Sequence, residues 1–162
     1  MSMIAMRTAQ AGLVARIRAS LEKEIGPARA IAVLTEAIED DARRAGEAFA
    51  RLAPQQPSLE HFATVLERWR EGGALDIEDV SLNLNTLSFA VVNCAYARAY
   101  AEMGLDAELG YALSCSRDEP FAQGYSPKLS MLRTQTIMQG APKCLFTFTW
   151  EAFSQGTPSL SR

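Results

Sequence analysis

The longest regular pattern in the chain is a recurrence of apolar residues at three- and four-residue steps. Ile31, Leu34, Ile38, Ala42, Ala45, Phe49 and Leu52 keep this rhythm, which gathers them on one face of a helix predicted over about residues 28–52. Before it, Leu13, Val14, Ile17 and Leu21 predict a helix over about 8–25, stopped by Gly26-Pro27. Beyond the connector 54–57, Ser58 is placed to cap a helix carrying Leu59, Phe62, Leu66 and Trp69, and Gly72-Gly73 ends it.

The period then changes to two. Val80, Leu82 and Leu84 alternate with Asp79, Ser81, Asn83 and Asn85, as a half-buried strand does. Asn85-Thr86 is a turn signal, and Leu87, Phe89 and Val91 predict a second strand. Asn93 as cap and Gly104 as terminator bracket a short helix from Cys94 to Met103. Asp106 caps another that runs through Leu113, and residues 116–127 read as loop with one helical turn at 120–123. Two further strands, 128–138 and 143–150, are joined by Gln139-Gly-Ala-Pro142, and a polar tail from Ser154 is expected to fray. The expected fold is one α+β domain over 1–162. A helical half ends near 73, and an antiparallel sheet of about four strands over 74–150 carries helices on one face. Strand order is left open by the pattern.

At 162 residues and 48% hydrophobic, the chain is long and apolar enough for a real core. A net charge of -3 leaves no basic excess for phosphates, so no nucleic-acid partner is expected. No apolar run reaches membrane-spanning length, and the opening Met1-Ser-Met-Ile-Ala-Met-Arg7 lacks the order of a signal peptide. A cytoplasmic location follows as the expectation, and with it free thiols at Cys94, Cys115 and Cys144. Their spacing fits no zinc motif, His61 is the sole imidazole, and no glycine loop is built to cradle phosphate, so neither metal nor cofactor is expected. The amphipathic second helix offers a face for a homodimer.

Candidate chemistry collects in the second half. On the last strand Cys144, Phe146, Phe148 and Trp150 share one face. An even-length hairpin loop pairs 138 with 143 and turns Leu129, Met131, Arg133, Gln135 and Ile137 to that same face; a slip of one residue exposes Arg133 instead. An inward guanidinium needs a partner, and a bound carboxylate suits its fork. Cys94, placed in the first turn of a helix, is either a thiolate favoured by the amide dipoles or a small buried residue. Cys144 reads as core or ligand contact, and Cys115 as pocket wall or filler. Asp118 is either an N-cap or a pocket carboxylate. Tyr96, Tyr100 and Met103 form one helical face, as core or as a ligand cage.

These segments carry a resemblance. Arg133-Thr-Gln-Thr-Ile-Met-Gln-Gly-Ala-Pro-Lys-Cys144 is similar to a signature of the L-2-amino-thiazoline-4-carboxylic acid hydrolase-like proteins. Asn93-Cys-Ala-Tyr-Ala-Arg-Ala-Tyr100, Leu109-Gly110, Leu113-Ser-Cys-Ser-Arg-Asp118, Phe121 and Gly124-Tyr-Ser-Pro127 follow in the family's order, over about 87–148. Two positions depart. Leu145-Phe146-Thr147 stands where members often carry Asp-Phe-Arg, and Asn93 where they often carry arginine. A weaker, fold-level echo is of 4-vinyl-reductase type small-molecule-binding domains. The resemblance implies hydrolysis of a cyclic isothiourea or amidine. Cys94 or Cys115 would be the thiolate nucleophile, Asp118 the base or amidine partner, and Arg133 the carboxylate clamp, with Gln135, Cys144 and Tyr96 as further substrate contacts; a metal-activated water is the competing mechanism. A non-catalytic sensor or carrier on the same fold is the alternative.

Overall fold

The structure is a computed structural model, and it describes residues 3–151; the tail expected to fray lies outside them. Helix α1 (Met3–Ile25) turns at Gly26, whose φ of 80° suits glycine, and α2 (Pro27–Ala50) begins on the proline. The two run back along each other, so Ala11, Val14 and Ala15 share a small core with Ile31 and Ile38. Ser58 caps α3 (Leu59–Ala63) by accepting a hydrogen bond from the His61 amide, and α4 (Val65–Arg70) follows after a break at Thr64. The single expected helix is therefore two short ones.

The sheet joins β1 (Leu75–Leu82), β2 (Thr86–Cys94), β4 (Cys144–Trp150) and β3 (Leu129–Arg133), in that spatial order and antiparallel throughout. Between β2 and β3 the chain forms α5 (Ala95–Glu102), α6 (Ala107–Leu113) and α7 (Asp118–Tyr125). Asp106 caps α6 through the Leu109 amide, as its position suggested. The stretch expected to be mostly loop is helical in α7, where Asp118 and Glu119 meet the positive end of the helix and Pro120 fits its first turn.

Leu87, Phe89, Val91, Leu129, Cys144, Phe146 and Phe148 form the inner face of the sheet and pack on Phe49, Phe62, Leu66 and Tyr125 from the helices. Phe89 stacks on Phe146 with centroids 4.8 Å apart, and Phe62 meets Phe148 edge-on at 5.0 Å. Leu132 and Leu145 on the outer face stay 64% and 37% exposed, as expected of a sheet covered on one side.

Three expectations are corrected. Val80, Leu82 and Leu84 are exposed; the buried position of β1 is Ile77. A bulge between Glu78 and Ser81, with Asp79 at φ 54°, breaks the alternation that the sequence displays. The strand predicted over 128–138 ends at Arg133, and residues 134–143 form a connector with a tight helical turn at Ile137–Gln139. Arg133 consequently pairs with Phe146, two residues from the expected register; an even slip keeps the face, so Arg133 still points inward. Asn93 is a strand residue bonded to Asp76 and Arg98, and Cys94 itself holds the cap position of α5.

Helix α2 buries Ala30, Leu34, Ala42, Gly46 and Phe49 inside the molecule. Its crossing with α7 is very close. A Cβ on Gly46 would lie 2.0 Å from the Phe121 carbonyl oxygen, and one on Gly124 would lie 2.1 Å from that of Arg43. Opposite, Tyr125 ties α7 to α3. Its hydroxyl donates to the Ser58 carbonyl, accepts from the Ser58 amide, and lies 2.9 Å from His61 Nδ1.

Candidate functional site

Between the helices and the edge of the sheet's inner face lies a cavity of about 290 Å³. Val91, Cys94, Arg133, Cys144 and Phe146 supply its sheet side. Ala42, Ala45 and Phe49 of α2, Val65, Arg68 and Trp69 of α4, and Tyr96 and Tyr100 of α5 form walls. Met3 and Arg7 of α1, Leu75 of β1, Leu113, Ser114, Cys115, Arg117, Asp118 and Phe121 complete it. Cys94, Cys115, Cys144, Asp118, Arg133 and Tyr96, all singled out from the sequence, meet around this one hollow. Gln135 does not line it; its side-chain amide donates to the Lys143 carbonyl at 2.8 Å and braces the connector.

Arg133 occupies an unusual position. Its side chain is 5% exposed and its guanidinium lies over the rings of Phe146 and Tyr111. Nη1 donates to Asp118 Oδ2 in a short ion pair, and Nη2 donates to Tyr111 Oη and to the Cys115 carbonyl, each at 3.0 Å. The carboxylate expected from a ligand is thus supplied by the protein. Asp118, at the start of α7, directs its side chain to Arg133 and does not cap the helix. Burial raises its carboxyl to about 6 despite the guanidinium's pull.

The thiols are held protonated. Burial pushes Cys94 up, although the amides of Ala97 and Tyr96 at the head of α5 draw it down. Burial and the nearby Asp118 charge push Cys115 far up. Cys144 is also raised by burial, and its Sγ accepts from the Ile137 amide at 3.2 Å, which fixes the connector to the strand. Of the two readings of Cys94, desolvation outweighs the amides at the head of α5 and disfavours the thiolate. Among the described residues, no three His, Cys, Asp or Glu side chains come together as a metal would require.

Arg7, Arg68, Arg117 and Tyr111 were missed. Arg117 lies inside the family-like stretch but carries no pattern of its own, and Arg7 comes from a helix far away in sequence. On the far side of Cys115 and Arg133, a second, more polar hollow of about 200 Å³ is bordered by Glu39, Arg43, Tyr111, Glu119 and Gln123.

Fold and site together define an α+β protein with a cavity between its helices and one antiparallel sheet. The chain belongs to the L-2-amino-thiazoline-4-carboxylic acid hydrolase family, whose sequence model matches residues 6–148. The match extends the resemblance through the helical half. No curated protein matches the chain. A similar solved structure is the crystal structure of the phenol-responsive sensory domain of the transcription activator PoxR with phenol. It has a TM-score of 0.55 and 11% identity, over 89% of this chain and 74% of that one, which shows a shared fold.

Proposed function

We propose that the chain hydrolyses a small cyclic amidine or isothiourea within the cavity, with Asp118 as the general base. The observation that carries this reading is that Asp118, held by Arg133, borders one hollow with three thiols, where burial pushes its carboxyl up to about 6. A ligand amidine N–H facing Asp118 would bring its electrophilic carbon close to the same oxygen. Water adds to that carbon while Asp118 takes its proton, and the carboxylic acid so formed returns the proton to the leaving ring atom. Cys94 is the alternative nucleophile, since the α5 amides would stabilise its sulfur once Asp118 had accepted the thiol proton. Arg133 holds Asp118 in place and keeps it partly ionised. Tyr96 and Cys144 contribute to the wall that a ligand would touch, and Gln135 acts only on the connector.

A second reading rests on the three protonated thiols and the largely apolar lining: a sensor or carrier that binds without turnover, as the fold of the phenol-responsive domain allows. Loss of ring absorbance of 2-amino-thiazoline-4-carboxylate, followed with wild type, Asp118→Asn, Cys94→Ser and Cys115→Ser, separates the two. The hydrolase reading requires turnover by the wild type and a loss of roughly a hundredfold or more in Asp118→Asn. Equal turnover in all four proteins discards Asp118, and saturable binding without turnover moves the assignment to the sensor.

A further inference from the structure

The aromatic side chains around the cavity differ in how their faces are covered. Phe146 is stacked with Phe89 at 4.8 Å and with Phe148 at 6.0 Å. Phe49 has His61 stacked on it at 4.7 Å and the Arg68 guanidinium over its ring at 5.0 Å. Trp69 is different. It meets Phe89, Phe121, Phe146 and Phe148 at 6.2 to 6.5 Å, each of them tilted or edge-on at 48 to 62°. Among the described residues no ring is stacked on the indole, yet Trp69 is half-buried and lines the cavity. An indole face is a broad, flat, apolar surface that a stacked ring covers better than water does.

The indole stands one ring beyond the Asp118–Arg133 pair along two walls. Phe146 carries the Arg133 guanidinium at 5.3 Å and meets Trp69 at 6.4 Å. Phe121 follows Asp118 by one turn of α7 and meets Trp69 at 6.3 Å. The cavity of about 290 Å³ is also close to the size that drug-sized ligands occupy, roughly 300 Å³ and more. A five-membered ring with one small substituent, set against Asp118, leaves the part at Trp69 unfilled. A flat, apolar second ring fits there, offset-stacked on the indole.

We propose that Trp69 is the specificity-determining residue of the cavity and stacks on a flat second ring fused or joined to a cyclic isothiourea. The favoured ligands are then aryl-fused or aryl-bearing isothioureas, and a single five-membered ring occupies only the Asp118 end. The head group at Asp118 rests on the hydrolase reading, but the ring preference is read from binding and is separable from turnover. Trp69 touches the second ring and moves no proton. An aliphatic ring of the same size would fill the space and forgo the stacking.

Calorimetric titration at about pH 8 with three uncharged probes tests the subsite: 2-aminothiazole, 2-aminobenzothiazole, and the tetrahydro analogue of the latter, whose second ring has the same size but is puckered. Wild type should bind 2-aminobenzothiazole roughly ten- to a hundredfold more tightly than 2-aminothiazole, and about three- to tenfold more tightly than the tetrahydro analogue. Trp69→Phe should keep part of both preferences, and Trp69→Leu should bring the flat and puckered bicycles to within about twofold of each other. Circular dichroism confirms that each variant is folded. Should Trp69→Leu fail to fold, fluorescence decides. The chain has two tryptophans, and in Trp150→Phe the emission of the remaining indole should change on adding 2-aminobenzothiazole. Absence of binding, equal binding of flat and puckered bicycles by wild type, a preference that survives in Trp69→Leu, or unchanged Trp69 emission overturns the subsite, whatever the turnover measurements give. Absence of ring opening of 2-amino-thiazoline-4-carboxylate alongside an intact, Trp69-dependent preference overturns the hydrolase reading and leaves the ring subsite standing.

Discussion

At the scale of single residues, the Asp118–Arg133 pair organises the site. Removing one partner leaves a buried charge alone, so Arg133→Ala should lower the unfolding free energy in urea by about 3 kcal/mol. Arg133→Lys should recover little of it, since an ammonium cannot reach Asp118, Tyr111 and the Cys115 carbonyl together. The raised carboxyl has a consequence for stability as well. Asp118 binds its proton more tightly in the folded state than in the unfolded chain, where an aspartate titrates at about 3.9. Its contribution to stability is therefore least above about 6 and grows as pH falls toward 4. The difference in unfolding free energy between wild type and Asp118→Asn, measured at several pH values, should shift in favour of wild type over that window. The inward direction of Arg133 was legible because strand parity survives an even slip. Its partner was not, because Asp118 looks like a helix cap until α7 places it beside β3.

At the scale of elements, the crossing of α2 and α7 positions Asp118. Gly46→Ala and Gly124→Ala each drive a Cβ into a facing carbonyl, and backbone cannot yield as a side-chain tip can. Each should cost at least about 2 kcal/mol in chemical denaturation and weaken ligand binding, as α7 is pushed from the cavity. Gly12→Ala in α1 meets only the Met103 terminal methyl at 3.6 Å and should be neutral or stabilising by up to about 1 kcal/mol. Tyr125→Phe would strip the Ser58 amide of its partner and loosen α3 from α7, at about 1–3 kcal/mol. Long helices and the aromatic strands were readable because their apolar periods are unbroken over several turns or pairs. The start of β1 was not, since a bulge at Asp79 shifts which residues face inward, and no local signal marks it. The caps at Ser58 and Asp106 were readable because they depend on a few neighbouring residues, whereas Asn93 failed because strand pairing with β1 extends through it.

At the scale of the whole molecule, the cavity joins elements separated by more than a hundred residues of chain: Arg7 near one end, Asp118 and Arg133 near the other. The C-terminal half of the site could be read from motif order, since its thiols, acid and guanidinium fall within a compact run of sequence. The arginine supplied by α1 could not, because only tertiary packing brings it to the hollow. Family membership over residues 6–148 fits a site that draws on both halves. The central claim is that a cavity carboxyl, raised by burial, acts as the base for ring opening. The most direct test is the pH dependence of kcat/KM for 2-amino-thiazoline-4-carboxylate. Activity should climb tenfold per pH unit below about 6 and level off above it, with Asp118→Asn low and without that limb. A wild-type profile flat between pH 5 and 8, or an unchanged limb in Asp118→Asn, would contradict the account.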